Sequence, residues 1–451
     1  MEKLFKLKAH GTNVRTEIMA GITTFISMVY ILAVNPAMLA DAGMDSGAVF
    51  TATAISAAIA SLCMAFFANY PIALASGMGI NAYFTYSVCI PMLQAGIVDP
   101  WKIALTAVLV EGLIFILLSF FKFRESLVNN IPANLKYGIT VGIGLFIAFV
   151  GLQGAGITVL SPSTLVDLGK VASPQFALAM VGLVIIGVLH HYNVKGSILW
   201  GILATWILGM IAQGLGWYVV DVEAGVYSLF PSFEGYSVIP TLPNFFAFDF
   251  SYILNNLSSF LVIVFSFLFV DLFGTVGTLI GVADKGGLLD EEGKLPRAGG
   301  ALMADAVGTV AGACLGTSTV TSYVESSAGV AQGGRTGLTA LTAGVLFLLS
   351  LFLSPIFLAI PKFATTPALI YVGLLMMSSV KKMTFDGDIA DVIGGFLAII
   401  MMPFTYSLDN GIMFGILSWI LLKLFTGKVK DIPVIMWISG VLFAFRILTM
   451  L

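Results

Sequence analysis

The chain has 451 residues, of which 59% are hydrophobic and 10% charged, with a net charge of −3 and a mean hydropathy of +1.02. Soluble domains average roughly 45–50% apolar and about 25% charged residues, so a soluble enzyme and a disordered chain are both excluded. No basic field offers itself to nucleic acid, and Cys63, Cys89 and Cys314 stand singly in apolar runs, giving neither a disulfide framework nor a CxxC metal motif.

A helix that crosses a bilayer needs about 20 apolar residues. In chain order the apolar runs predict segments at 15–39, 47–69, 73–91, 101–121, 135–154, 175–190 and 196–218. A second set follows at 252–281, 298–315, 320–333, 335–357, 364–380, 389–407 and 409–426. The apolar tail at 432–451 fits either a surface helix or an extra span. The first segment is too long for a cleavable signal peptide and has no clear small-residue cleavage site. With the N-terminus inside, the inner connections carry 17 of the 21 Lys and Arg, the outer ones only Lys102, Lys170 and Lys362, and Arg446 falls in the tail. That bias predicts a cytoplasmic N-terminus. The outer stretch 214–250 has Asp221, Glu223, Glu234 and Asp249, no basic residue, and many aromatics and prolines. It reads as a surface linker between two halves.

The halves match each other. Trp200-Gly201-Ile202-Leu203-Ala204-Thr205-Trp206-Ile207-Leu208 in the seventh segment corresponds to Phe414-Gly415-Ile416-Leu417-Ser418-Trp419-Ile420-Leu421 in the fourteenth, with one residue deleted. Ile131-Pro132 precedes the fifth segment as Ile360-Pro361 precedes the twelfth. Ser76-Gly77-Met78-Gly79-Ile80-Asn81-Ala82-Tyr83 has a counterpart 240 residues on, in Gly316-Thr317-Ser318-Thr319-Val320-Thr321-Ser322-Tyr323. Three pairs in the same order indicate a duplication. Seven segments is an odd number, so the second copy enters the membrane from the opposite side, as in many secondary transporters.

The third and tenth segments are short and rich in Gly, Ser and Thr, which weaken a helix. Each is predicted to hold a short extended stretch leading into a half-helix. Irregular backbone at membrane depth must be buried in protein or line a cavity, and interrupted segments in matching positions point to a binding site. Close helix packing alone would account for the glycines but not for the polar residues beside them. An ionisable group near the bilayer centre costs about 2.5–3.5 kcal/mol on insertion scales, and few are present: Glu111, Asp271, Asp305 and Glu325, with Asn81 as an uncharged polar group. Asp271 interrupts an apolar helix, and Thr275 lies one turn on, on the same face. Gly274, Thr278 and Gly281 continue a small-residue stripe. Glu325 falls in the first turn after the tenth-segment break, where a helix dipole favours a carboxylate. Asp271 and Glu325 are the leading site candidates. Glu111 reads as a packing group or a coupling residue, and Asp305 as a structural hydrogen-bonding group.

Asn13-Val14-Arg15-Thr16-Glu17, Gly77-Met78-Gly79-Ile80-Asn81-Ala82-Tyr83-Phe84, Val270-Asp271-Leu272-Phe273-Gly274-Thr275 and Gly316 through Ser326 together resemble the AzgA-like purine permeases of the nucleobase–cation symporter superfamily. The resemblance covers almost the whole chain, and four motifs in order make it specific. It implies an all-α polytopic membrane protein of 14 transmembrane segments, built as a 7+7 inverted repeat with core and gate domains, and often a homodimer. On that frame 1–121 and 251–357 form the core, 122–220 and 358–451 the gate, and 221–250 the outer linker. The resemblance further implies proton-coupled uptake of adenine, guanine or hypoxanthine across the cell membrane, and no cofactor. The family's substrate-site Asn, Asp and Glu fall on Asn81, Asp271 and Glu325. Where the superfamily often has a histidine one turn after the acid, this chain has Thr275.

The chemistry points the same way. A neutral purine avoids the desolvation penalty of a charge. Guanine offers N1–H and its 2-amino group side by side, which a carboxylate accepts through charge-assisted bonds. Hypoxanthine offers only N1–H there. Adenine presents an acceptor beside its 6-amino donor, a match for an amide such as Asn81. Glu325 therefore leans toward guanine and hypoxanthine. Tyr323, Tyr83 and Phe265 are the stacking candidates. Two buried carboxylates close together share a proton more readily than they hold two charges, so Asp271 and Glu325 are expected to carry the coupling proton. Gly287 to Leu295 lacks the spacing and the Ser/Thr of a P-loop, so no ATP engine is visible. An intramembrane protease built on Asp271 and Asp305 lacks the expected flanking motifs. An anion transporter or channel of the same inverted-repeat fold is the stronger alternative, although two acids in the pocket oppose an anion.

Overall fold

The computed structural model describes residues 2–120, 132–221, 226–231, 239–290 and 295–450. Lys122, Arg124, Ile131, Glu223, Glu234, Lys294 and the expected boundary at 121/122 lie outside the described residues.

The first membrane helix starts where the Asn13 side chain accepts from Thr16 N at 3.0 Å. It comes in two parts, α1 (Val14–Met28) and α2 (Ile31–Ala40). Between them the backbone tightens to three-residue bonds, Leu32 N to Val29 O and Ala33 N to Tyr30 O. Asp45 caps α3 (Ser46–Cys63) through Ala48 N in the same way. The third segment is β1 (Leu74–Ser76), then α4 (Met78–Ala82), continued by widened π-type turns over Tyr83–Cys89. The rest of the first half is α5 (Pro100–Phe120), α6 (Ala133–Gly154), α7 (Pro174–His191) and α8 (Ser197–Gly214). A hairpin of β2 (Thr158–Ser161) and β3 (Leu165–Leu168) lies between α6 and α7.

The second half repeats the order. It has α9 (Leu257–Gly286), α10 (Ala298–Leu315), β4 (Val320–Ser322) with α11 (Ser326–Ala331), and α12 (Gly337–Leu349). It continues through α13 (Lys362–Met377), α14 (Ile389–Phe404) and α15 (Leu408–Phe425). Among the described residues, ten helices are long and apolar enough to cross a membrane. Together with the interrupted and shorter apolar stretches, the described residues fall into fourteen segments in two sevens, a helical, multi-pass membrane fold. The short extended stretches lie in the third and tenth segments, as expected.

Those two stretches meet. β1 pairs antiparallel with β4, with Leu74 opposite Ser322, Ala75 opposite Thr321 and Ser76 opposite Val320. An antiparallel pair of equivalent strands is what a two-fold axis lying in the membrane plane generates. All six residues, and Ala73 just before β1, are buried, so their outward backbone groups need partners. Hydroxyls supply them: Ser61 Oγ accepts from Leu74 N at 3.0 Å, Ser326 Oγ accepts from Ala73 N at 3.0 Å, and Thr309 Oγ1 donates to Val320 O at 3.1 Å.

Around this crossing, α1, α3, α10 and α12 pack on one another, while α6, α13, α14 and α15 make a second close-packed group. In the second group a Cβ added at Gly138 would lie 2.5 Å from the carbonyl oxygen of Gly395, so α6 and α14 touch backbone to backbone. The C-terminal tail is a helix, α16 (Val434–Met450), running antiparallel along α15. Gly440 lies against Ile420, and Arg446 pairs with Asp409 at the far end.

Candidate functional site

The β1–β4 crossing puts the ends of two half-helices side by side. Asn81 sits in α4, one turn past β1, and is fully buried. Its Oδ1 accepts from Ser76 Oγ at 2.9 Å and from Ser318 Oγ, so one hydroxyl from each half holds the amide. Its amide nitrogen has no hydrogen-bond partner among the described residues. Tyr323 follows β4 and reaches back across the crossing, its hydroxyl donating to Ser76 O at 2.5 Å while its backbone N–H donates to Ala73 O at 3.1 Å.

Asp271 and Thr275 sit one turn apart on α9 and both are buried. Thr275 Oγ1 lies 3.1 Å from Asp271 Oδ1, 2.7 Å from Asp305 Oδ1 and 2.6 Å from Thr321 Oγ1. This hydroxyl therefore joins α9, α10 and β4. A hydroxyl has one hydrogen and two lone pairs. If it donates to one carboxylate, the other acid bonds to it only by donating, that is, when protonated. The trio has a ready place for one proton. The acid sharing this hydroxyl with Asp271 is Asp305, the residue that the sequence marked as a structural hydrogen-bonding group.

Glu325 immediately precedes α11, is half-buried, and takes the hydroxyl of Tyr30 on Oε1 at 2.6 Å. Glu111 on α5 accepts from Thr319 Oγ1 at 2.8 Å on Oε2, which fixes the chain just before β4. Asn81, Glu111, Asp271, Thr275, Asp305 and Tyr323 thus gather around one crossing, and Glu325 lies three residues beyond β4, bonded to Tyr30. The other two stacking candidates point elsewhere. Phe265 packs on Phe269 and, at 5.6 Å, on Phe443 of α16. Tyr83 meets Phe267 edge-on at 4.8 Å and lines a cavity of about 240 Å³ with Ser87, Ser258, Asp409 and Arg446. A second cavity, of about 200 Å³, opens beside Val34, one turn beyond Tyr30, and is walled by Tyr86, Gln153, Lys362 and Tyr406.

The model of the Permease family (xanthine/uracil permeases) matches residues 15–414. This chain belongs to that family. A permease of Methanocaldococcus jannaschii is 47% identical over 99% of this chain and 98% of its own. The adenine permease AdeP of Escherichia coli is 42% identical over 99% of this chain and 96% of its own. The guanine/hypoxanthine permease PbuO of Bacillus subtilis is 43% identical over 98% of each. The transmembrane domain of the cyanobacterial bicarbonate transporter BicA has the same fold. It matches this permease with a TM-score of 0.66 over 89% of the present chain and 97% of its own, at 15% identity. This permease is a transporter family member, not an enzyme.

Several residues of this candidate site escaped the sequence reading. Ser76, Ser318 and Thr321 lie inside motifs already noted there, but their hydroxyls gain meaning only once β1 and β4 pair. Tyr30 had no signal. A tyrosine in the run Met28-Val29-Tyr30-Ile31-Leu32 looks like any core aromatic.

Proposed function

We propose that this permease imports purine nucleobases together with protons, by alternating access in the cell membrane, with its N-terminus in the cytoplasm. The observation that carries the proposal is the buried polar cluster at the β1–β4 crossing, which has edge-recognition groups and a place for a proton in one location. Two relatives of nearly equal similarity, named for adenine and for guanine and hypoxanthine, support a purine as the substrate. In the proposed division of labour, Glu325 accepts donors on the base edge and Asn81 offers its amide to a ring acceptor. Asp271 carries the coupling proton, bonded through Thr275 to Asp305. Tyr323 closes the crossing behind the base. Guanine and hypoxanthine are then preferred over adenine, because a carboxylate accepts and does not donate. Several carboxylates around one crossing disfavour an anion as substrate.

In the same proposal the group containing α1, α3, α10 and α12 is the core, and α6, α13, α14 and α15 belong to the gate that moves against it. The N-terminal orientation rests on the Lys and Arg bias of the connections. A competition panel tests the substrate. Uptake of radiolabelled hypoxanthine should be blocked by unlabelled guanine and hypoxanthine at lower concentration than by adenine. Inhibition by bicarbonate with no inhibition by any purine would overturn the proposal.

A further inference from the structure

Tyr30 lies where α1 gives way to α2, and it is only 1% exposed. A phenylalanine would fill the same apolar space without bringing a polar atom into it. The hydroxyl must therefore find a partner or incur an unsatisfied-group penalty. It finds one 295 positions away, donating to Glu325 Oε1 at 2.6 Å, the length typical of a hydroxyl on a carboxylate. The tightened turn at Val29–Tyr30 aims the ring at the start of α11, and α1 packs along α11. A Cβ added at Gly329 of α11 would lie 2.1 Å from Thr24 Oγ1 and 2.6 Å from Ala20 O, so α11 lies against the backbone of α1 at a range only glycine allows. That close approach brings the Tyr30 hydroxyl within reach of Glu325.

We infer that Tyr30 is a positioning residue for substrate recognition: it holds the Glu325 carboxylate in one orientation, with Oε1 occupied and Oε2 presented to the base. This rests on the assignment of Glu325 as the base-edge ligand. Glutamate has three side-chain torsions, and a half-buried one with no anchor would sample several rotamers, at an ordering penalty on each binding event. Tyr30 pre-orders it. Substrates that donate to a carboxylate, guanine and hypoxanthine, benefit most.

The test is a double-mutant cycle on transport by the full chain, with Tyr30→Phe, Glu325→Gln and the pair, reading KM and maximal rate for guanine, hypoxanthine and adenine. Tyr30→Phe should raise KM for guanine and hypoxanthine about tenfold, the loss of one bond to a charged group. Adenine KM and the maximal rates should stay within about twofold. In the Glu325→Gln background, Tyr30→Phe should add little. Equal KM effects of Tyr30→Phe in both backgrounds, or none in either, overturn the inference. An unchanged KM for all three purines in Glu325→Gln alone overturns the assignment of Glu325, and the role of Tyr30 with it. Should Tyr30→Phe not reach the membrane folded, Glu325→Asp serves instead. It keeps the charge but draws the carboxylate one methylene away from Tyr30, and should show the same selective loss; an equal loss for all three bases overturns the inference.

Discussion

At the scale of single residues, the most informative atom is the Thr275 hydroxyl, with two acids and a second threonine within 3.1 Å. Valine has nearly the same shape and no hydroxyl. Thr275→Val should leave purine binding measurable but uncouple it from protons, because Asp271 and Asp305 lose the group that joins them. Asp271→Asn should do the same more strongly. Both variants should keep counterflow exchange of labelled hypoxanthine while losing accumulation against a gradient, measured on the same proteoliposomes. Accumulation that survives in Asp271→Asn would remove it as the proton carrier. Loss of counterflow would assign it to the substrate instead. The acids and Asn81 were legible in the sequence because a polar group in a membrane helix is costly and therefore conspicuous. The partners were not. That Asp305 shares the Thr275 hydroxyl with Asp271, and that Glu325 takes the hydroxyl of Tyr30, follows from the crossing of segments far apart in sequence, and no local pattern encodes it.

At the scale of elements, Gly, Ser and Thr runs marked the two interrupted segments correctly, because they remove the side-chain contacts and propensity that sustain a helix. The break at Val29–Tyr30 left no such mark, since the residues on either side are equally apolar. The β2–β3 hairpin was also missed; four-residue strands are too short for a clear alternating pattern. The tail after Ile432, ambiguous in the sequence, is tied along α15 by Gly440 and the Arg446–Asp409 pair. Helix contacts in a membrane rely on close packing rather than on expulsion of water, so the α6–α14 contact should tolerate little. Gly138→Leu places a side chain where the Gly395 carbonyl now lies. It should sharply lower the yield of monodisperse protein in detergent and its melting temperature. Gly214→Leu, where an added Cβ meets nothing within 4 Å, should be tolerated. Equal behaviour of the two variants would contradict the packing account.

At the scale of the whole molecule, alternating access requires the two helix groups to separate at one end and then the other. At the end of α2 remote from the N-terminus, Asp41 reaches Lys362, which begins α13, at 2.5 Å, and also accepts from Tyr86 at 2.9 Å. At the opposite end, Lys195 contacts Thr23 and Gln332. The Asp41–Lys362 pair is partly exposed, and such pairs contribute about 0–1 kcal/mol, weak enough to open in a cycle. Asp41→Cys with Lys362→Cys, in a background with Cys63, Cys89 and Cys314 replaced by alanine, should cross-link on oxidation. Uptake should stop and then return on reduction. Full activity in a quantitatively cross-linked sample would show that these ends need not part.

The most direct measurement of the central claim is hypoxanthine accumulation in proteoliposomes containing only this chain, under an imposed inward proton gradient and without sodium. The account predicts accumulation above the external concentration that collapses when a protonophore is added. Equilibration without accumulation under the proton gradient, together with accumulation under a sodium gradient that a protonophore leaves intact, would contradict it.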